Sequence, residues 1–147
     1  MNTQAPTVLV IDDDHDIAEL LACFLARDGL RPAIALNGIM GLQQARDLLP
    51  SVILCDSCMP GMGGLKVIER LRGDAVTAGI PIVLMSGDPG YFKDSGANAF
   101  LQKPFRITEV LAMARSFTPA ATEIARESHE AWECAAQRRG HSQAVLA

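Results

Sequence analysis

Residues 52–64 read VILCDSCMPGMGG. Val52, Ile53 and Leu54 form a short aliphatic run that suits a strand buried on both faces, and Pro60 with the glycines around it marks a loop. Asp56 closes that run. A carboxylate beside Ile53, Leu54 and Cys55 loses hydration, so it needs partners or a chemical task.

Similar runs recur along the chain: Val8–Ile11, Ala33–Ala35, Ile82–Met85 and Phe100–Leu101. Helical patterns lie between them. The first runs from Asp16 to Arg27, with Ile17, Leu20, Leu21, Phe24 and Leu25 on one stripe and Gly29 as the C′ residue. The second covers about Gly38 to Leu49 and is ended by Pro50; the third covers Leu65 to Arg72, with Val67, Ile68 and Leu71 inward. This alternation predicts an α/β fold, a doubly wound five-stranded parallel sheet with helices on both faces. In such sheets ligands bind beyond the carboxyl ends of the strands. Asp12, Asp13 and Asp14 follow the first strand, Asp56 ends the third, Ser86 ends the fourth and Lys103 follows the fifth.

Composition narrows the function classes. The 147 residues are 49% hydrophobic and 20% charged, enough for one core, and the formal net charge is −4. An acidic chain argues against direct nucleic-acid binding. No apolar run reaches the roughly 20 residues that span a bilayer, and MNTQAPT has no signal-peptide character. The expectation is a cytoplasmic protein without membrane contact. The four cysteines, Cys23, Cys55, Cys58 and Cys134, are too scattered for a disulfide framework. Cys55 and Cys58 form a C-x-x-C, but Cys55 lies inside a strand pattern rather than at the helix N-terminus that activates a redox thiol.

The acids need a cation. Two carboxylates about 4 Å apart repel by about 4 kcal/mol at an effective dielectric near 20. A hard divalent ion suits a few carboxylates with a phosphate and waters. With the Lys103 ammonium and the Ser86 hydroxyl, such a site is fit for phosphoryl transfer to a carboxylate.

VLVIDDD (8–14), VILCDSCMPGMGG (52–64), IVLMSG (82–87) and AFLQKPF (99–105) resemble, in order, the four motif blocks of the response-regulator receiver domain, over about residues 6–117. The resemblance implies the CheY-like (flavodoxin-like) fold and a phosphoacceptor role in two-component signalling, with Mg²⁺ (or Mn²⁺). By position, Asp56 would accept the phosphoryl group from a histidine kinase or phosphotransfer protein. Asp12, Asp13, Asp56 and the Cys58 backbone carbonyl would hold the metal. Ser86 and Lys103 would follow the phosphoryl group, Phe100 would be the aromatic switch residue, and Lys103–Pro104 would be cis. Cys58 and Asp88 would tune dephosphorylation. The chain would act on no substrate other than its own phosphoryl group, and would signal by binding a protein partner.

Simpler roles compete at single positions: Asp14 suits an N-cap better than a metal ligand. His15 replaces a common proline and Gly63 a common acidic residue, while Gly87 keeps the pocket open beside Ser86. Only 17 positions separate Ser86 from Lys103, about five fewer than the family uses, and Pro89, Gly90 and Gly96 break helices. The fourth helix should therefore be short, distorted or absent. A haloacid-dehalogenase-type phosphohydrolase, built on Asp12-x-Asp14, would leave Asp56 unexplained; a receiver-fold adaptor that works without phosphorylation is the third reading. Residues 118–147 are expected to be a helical extension or linker. Thr118–Pro119 opens a helix to about residue 139, with a stripe that includes Ala121, Ile124 and Trp132, then a disordered end. That helix could also carry a homodimer.

Overall fold

Five strands form one parallel sheet: β1 (Thr7–Ile11), β2 (Arg31–Ala35), β3 (Val52–Asp56), β4 (Ile82–Ser86) and β5 (Ala99–Gln102), in the order β2-β1-β3-β4-β5. The structure, a computed structural model, describes residues 5–118 and the backbone of 145–146. Among the described residues, four α-helices connect or follow the strands: α1 (His15–Arg27), α2 (Gly38–Leu48), α3 (Gly64–Gly73) and α4 (Ile107–Ser116).

Strand side chains alternate between two cores. Val8, Val10, Val52, Leu54, Val83, Met85 and Leu101 pack under α1 and α4, with Leu21, Leu25, Val110 and Leu111. Leu9, Ile11, Ile53, Cys55, Ile82 and Leu84 pack on the other face with Ala45, Val67, Ile68 and Leu71 of α2 and α3. Burial on both faces explains why the strands read as continuous apolar runs. Period two also carries Asp12 and Asp56 onto the α1/α4 side, in line with Val8 and Val10 and with Val52 and Leu54.

Local signals set the helix ends. Asp14 caps α1, its side chain accepting from Asp16 N–H at 3.0 Å and Ile17 N–H at 3.2 Å. Gly29 takes φ +85° just past Asp28, the C-cap of α1. Helix α2 stops at Leu48, one residue earlier than expected, and Leu49 turns left-handed at φ 46°. Pro50 disfavours the right-handed helical region for the residue before it. Two glycines seat α2: a Cβ at Gly41 would lie 2.6 Å from Ile11 Cδ1, and one at Gly38 would lie 2.8 Å from Val67 Cγ2.

Between β4 and β5 there is no α-helix, only a single 3₁₀ turn at Pro89–Tyr91. Asp94 and Gly96 both have positive φ, +60° and +85°, which no helix could accommodate. The shortened spacing and the breakers thus leave the fourth helix absent. The proposed helix over 119–139 and its Trp132 lie outside the described residues. The disordered end is corrected at its tip: Val145–Leu146 forms a short strand, β7, paired antiparallel with Phe105–Arg106, β6. Two residues preceding α4 in extended conformation offer backbone groups that a strand can satisfy.

Candidate phosphoryl-transfer site

The strand order reverses between β1 and β3, so a crevice opens at their carboxyl ends. Asp12 and Asp56 sit there. Asp12 is 1% exposed and Asp56 6% exposed, while Asp13 stands out toward solvent at the rim. Carboxylate oxygens of all three lie within 4.8 Å of one another.

Lys103 completes the cluster. Its Nζ donates to Asp56 Oδ1 at 3.1 Å and lies 4.0 Å from Asp12 Oδ2. Its backbone N–H donates to Ser86 O at 2.8 Å, which ties the end of β4 to the segment after β5, and the bond to Pro104 is cis, as the resemblance implied. Three carboxylates against one ammonium leave two negative charges without a counterion. Asp12 bears the strain: burial first, then the Asp56 charge, raises its pKa to about 6, against the Asp14 N–H bond that lowers it. Its Oδ2 is buried without a hydrogen-bond partner. Hard oxygen donors with uncompensated charge and an orphaned lone pair fit a small divalent cation such as Mg²⁺.

The structure places the other candidate residues by their own contacts, with Phe100 packed against the α2/α3 core rather than on the Asp12–Asp56 side. Ser86 is buried, and its Oγ accepts from Asp88 N–H at 3.1 Å. Cys58 is exposed, and its Sγ accepts from Ser57 Oγ at 3.6 Å. Asp88 is exposed and caps the 3₁₀ turn, one carboxylate oxygen accepting from Gly90 N–H at 2.8 Å. Phe100 is half-buried, its ring 5.8 Å from the Phe92 ring. Asp14 does not join the cluster, because its carboxylate caps α1; the Asp12-x-Asp14 pair of the hydrolase reading is not assembled.

Cys55 faces the α2/α3 core, and burial together with the neighbouring Asp56 pushes its thiol pKa far up. A thiol held neutral in this way is unsuited to redox chemistry.

Several residues that shape the site were not singled out in the sequence. A Cβ on Gly64 would lie 2.2 Å from Asp56 O, so α3 starts directly on the Asp56 backbone. The run of glycines after Asp56 was the available signal. Arg72 donates to Gly96 O at 3.0 Å, Ala78 O at 2.9 Å, Ile80 O at 2.7 Å and Asn98 Oδ1 at 2.6 Å. It staples down the segment that stands where the family has a fourth helix, and nothing local in the sequence marks it.

Known proteins resemble this chain in sequence and in fold. The family model described as "Response regulator receiver domain" matches residues 8–115. "DNA-binding response regulator MtrA" of Mycobacterium tuberculosis is 35% identical over 121 residues, covering 79% of this chain and 52% of MtrA. The chain thus spans about half the length of that curated relative. The Francisella response regulator 1452 receiver domain is 28% identical, with a TM-score of 0.70 over 76% of this chain and 95% of that one. Chemotaxis protein CheY4 of Vibrio cholerae is 25% identical, with a TM-score of 0.72 over 77% of this chain and 98% of that one. Four motif blocks, the acid–lysine cluster at the switch point and a match over most of the chain lead to one conclusion: the chain belongs to the response regulator receiver domain family.

Proposed function

We propose that Asp56 is the phosphoacceptor, charged by a histidine kinase or a phosphotransfer protein, and that the chain signals by binding a protein partner. The observation that carries this reading is the Lys103 Nζ contact to Asp56 Oδ1, 3.1 Å, beside the buried Asp12 carboxylate and the exposed Asp13 carboxylate. In the transfer, an Asp56 oxygen attacks phosphorus as the bond to the donor's imidazole nitrogen breaks. The product is an acyl phosphate, and the imidazole leaves neutral or takes up a proton. Asp12, Asp13, Asp56 and the Cys58 carbonyl would hold Mg²⁺ (or Mn²⁺), which supplies charge neutralisation at the transferring group. Lys103 pairs with the new phosphoryl oxygens, the Ser86 hydroxyl donates to one of them, and Phe100 follows that movement. Water attack restores the free carboxylate, with Cys58 and Asp88 beside its path.

In this reading residues 6–117 are the receiver and 118–147 an extension. The name of MtrA describes DNA binding, but this chain corresponds to about half of that protein and is acidic. We assign it protein partners and no direct nucleic-acid contact. Incubation with acetyl phosphate and Mg²⁺ should add one phosphoryl group to the wild-type chain and none to Asp56→Asn. Equal labelling of the two would overturn the assignment.

A further inference from the structure

Asp88 joins the end of β4 to the turn that follows it. Its backbone N–H donates to Ser86 Oγ at 3.1 Å, and its Oδ1 accepts from Gly90 N–H at 2.8 Å. A Cβ on Gly90 would lie 3.0 Å from Asp88 Oδ1 and 3.8 Å from Oδ2, so the carboxylate is folded back over Gly90. The turn itself is weak. Its closing bonds, from Tyr91 N–H to Asp88 O and from Phe92 N–H to Pro89 O, are 3.3 Å and 3.2 Å long. A 3₁₀ turn also has poorer hydrogen-bond geometry than an α-helix. Phe92 adds a tertiary contact, its ring 5.8 Å from that of Phe100, which packs against the α2/α3 core.

We propose that the 3₁₀ turn holds the Asp88 carboxylate out of use in dephosphorylation, and that Phe92 is the positioning residue that keeps it there. The proposal rests on the phosphoacceptor reading of Asp56. With the turn closed, the carboxylate serves Gly90 N–H. With the turn open, it is free to accept a hydrogen bond from a water at the phosphoryl group and so to orient that water. In the step that follows, the water oxygen bonds to phosphorus as the bond from phosphorus to the Asp56 oxygen breaks. The Asp56 carboxylate is restored, and the protons of the water leave with inorganic phosphate. Loss of one aromatic pair changes a local opening equilibrium by about three- to tenfold. The lifetime of the acyl phosphate is thus set by a ring contact on the α2/α3 side of the sheet, through one carboxylate that cannot cap the turn and orient water at once.

The test uses the full chain as wild type, Phe92→Ala, Gly90→Ala, Asp88→Ala, and Phe92→Ala combined with Asp88→Ala. Each is labelled with acetyl phosphate and Mg²⁺, the donor is removed, and decay of the label is followed by intact mass. Phe92 is 37% exposed, so its truncation leaves the two cores in place. Phe92→Ala should shorten the lifetime by about three- to tenfold. Gly90→Ala should shorten it as well, because the new Cβ crowds the carboxylate off its cap. The double variant should decay at the rate of Asp88→Ala alone, since Phe92 acts through that carboxylate. In the unlabelled chain, exchange of the Gly90 amide, read by nuclear magnetic resonance, should quicken about three- to tenfold in Phe92→Ala. An unchanged lifetime in Phe92→Ala would overturn the proposal, as would unchanged Gly90 exchange or a lifetime shortened equally with and without Asp88. Absence of label on wild-type Asp56 would overturn the phosphoacceptor reading and the proposal with it, whereas label with unaltered lifetimes overturns the proposal alone.

Discussion

At the scale of single residues, Asp12 is the position where stability and proposed function oppose each other. It is buried without a full set of partners, and its pKa is raised to about 6 from an ordinary value of 3.8. The folded metal-free chain therefore holds a proton on Asp12 more tightly than the unfolded chain does. Its stability falls as pH rises from about 4 to about 6 and levels off above that. Asp12→Asn removes the titrating charge, so in chelator at pH 7 it should stabilise the chain by on the order of 2 kcal/mol. At pH 4 the gain should nearly vanish. Urea melts at both pH values measure this, and a variant less stable than wild type at pH 7 would contradict it. Cys58 gives a second prediction at this scale. A thiol is a poor hydrogen-bond partner for water, so Cys58→Asn should shorten the lifetime of the acyl phosphate. The decay of label after a chase decides it, and an unchanged lifetime would mean that another group limits attack.

At the scale of elements, two devices replace what the chain lacks. The first is the seating of α3 on β3. With Asp56 O 2.2 Å and Ser57 Cα 2.8 Å from a Cβ on Gly64, Gly64→Ala must move backbone rather than a flexible side chain. It should cost about 3 kcal/mol or more, and displacement of the Asp56 loop should abolish labelling by acetyl phosphate. The second is the Arg72 staple. Asn98 accepts from Arg72 and from Ile82 N–H at 2.8 Å, and Asn98 N–H donates to Ile82 O at 2.8 Å, so one network ties α3 to β4 and to the residue that precedes β5. Arg72→Leu would leave three carbonyls and an amide oxygen without this donor. It should destabilise the chain by about 2–3 kcal/mol and speed hydrogen exchange across residues 90–98. Exchange in that span equal to wild type would show that the loop holds itself.

At the scale of the whole molecule, the two sheet faces divide the work. One face carries α2, α3 and the Arg72 staple. The other carries α1 and α4, joined by Arg115 Nε to the buried Asp28 Oδ2 at 3.2 Å, and the acidic cluster opens at the end of that layer. A ligand that binds the folded cluster alone stabilises the entire fold through mass action. Mg²⁺ at about ten times its dissociation constant should add about 1.4 kcal/mol, and Asp12→Asn should lose that response. Equal Tm shifts in the two chains would place the bound ion elsewhere. The sequence by itself determined the parallel sheet, the edge at which function collects and the cluster of Asp12, Asp13, Asp56 and Lys103. Apolar runs, caps and strand-end positions are properties of near neighbours in the chain, and strand parity then carries Asp12 and Asp56 to one side. It also indicated that the helix between Ser86 and Lys103 would be short, distorted or absent, because Pro89 and the glycines act locally. Only the tertiary structure decided what took that helix's place, why Gly64 must lack a side chain, that Asp28 meets Arg115, and that Val145–Leu146 returns to Phe105–Arg106. Each of these depends on groups far apart in the chain, whose meeting is fixed by how the layers pack and not by any local pattern of residues.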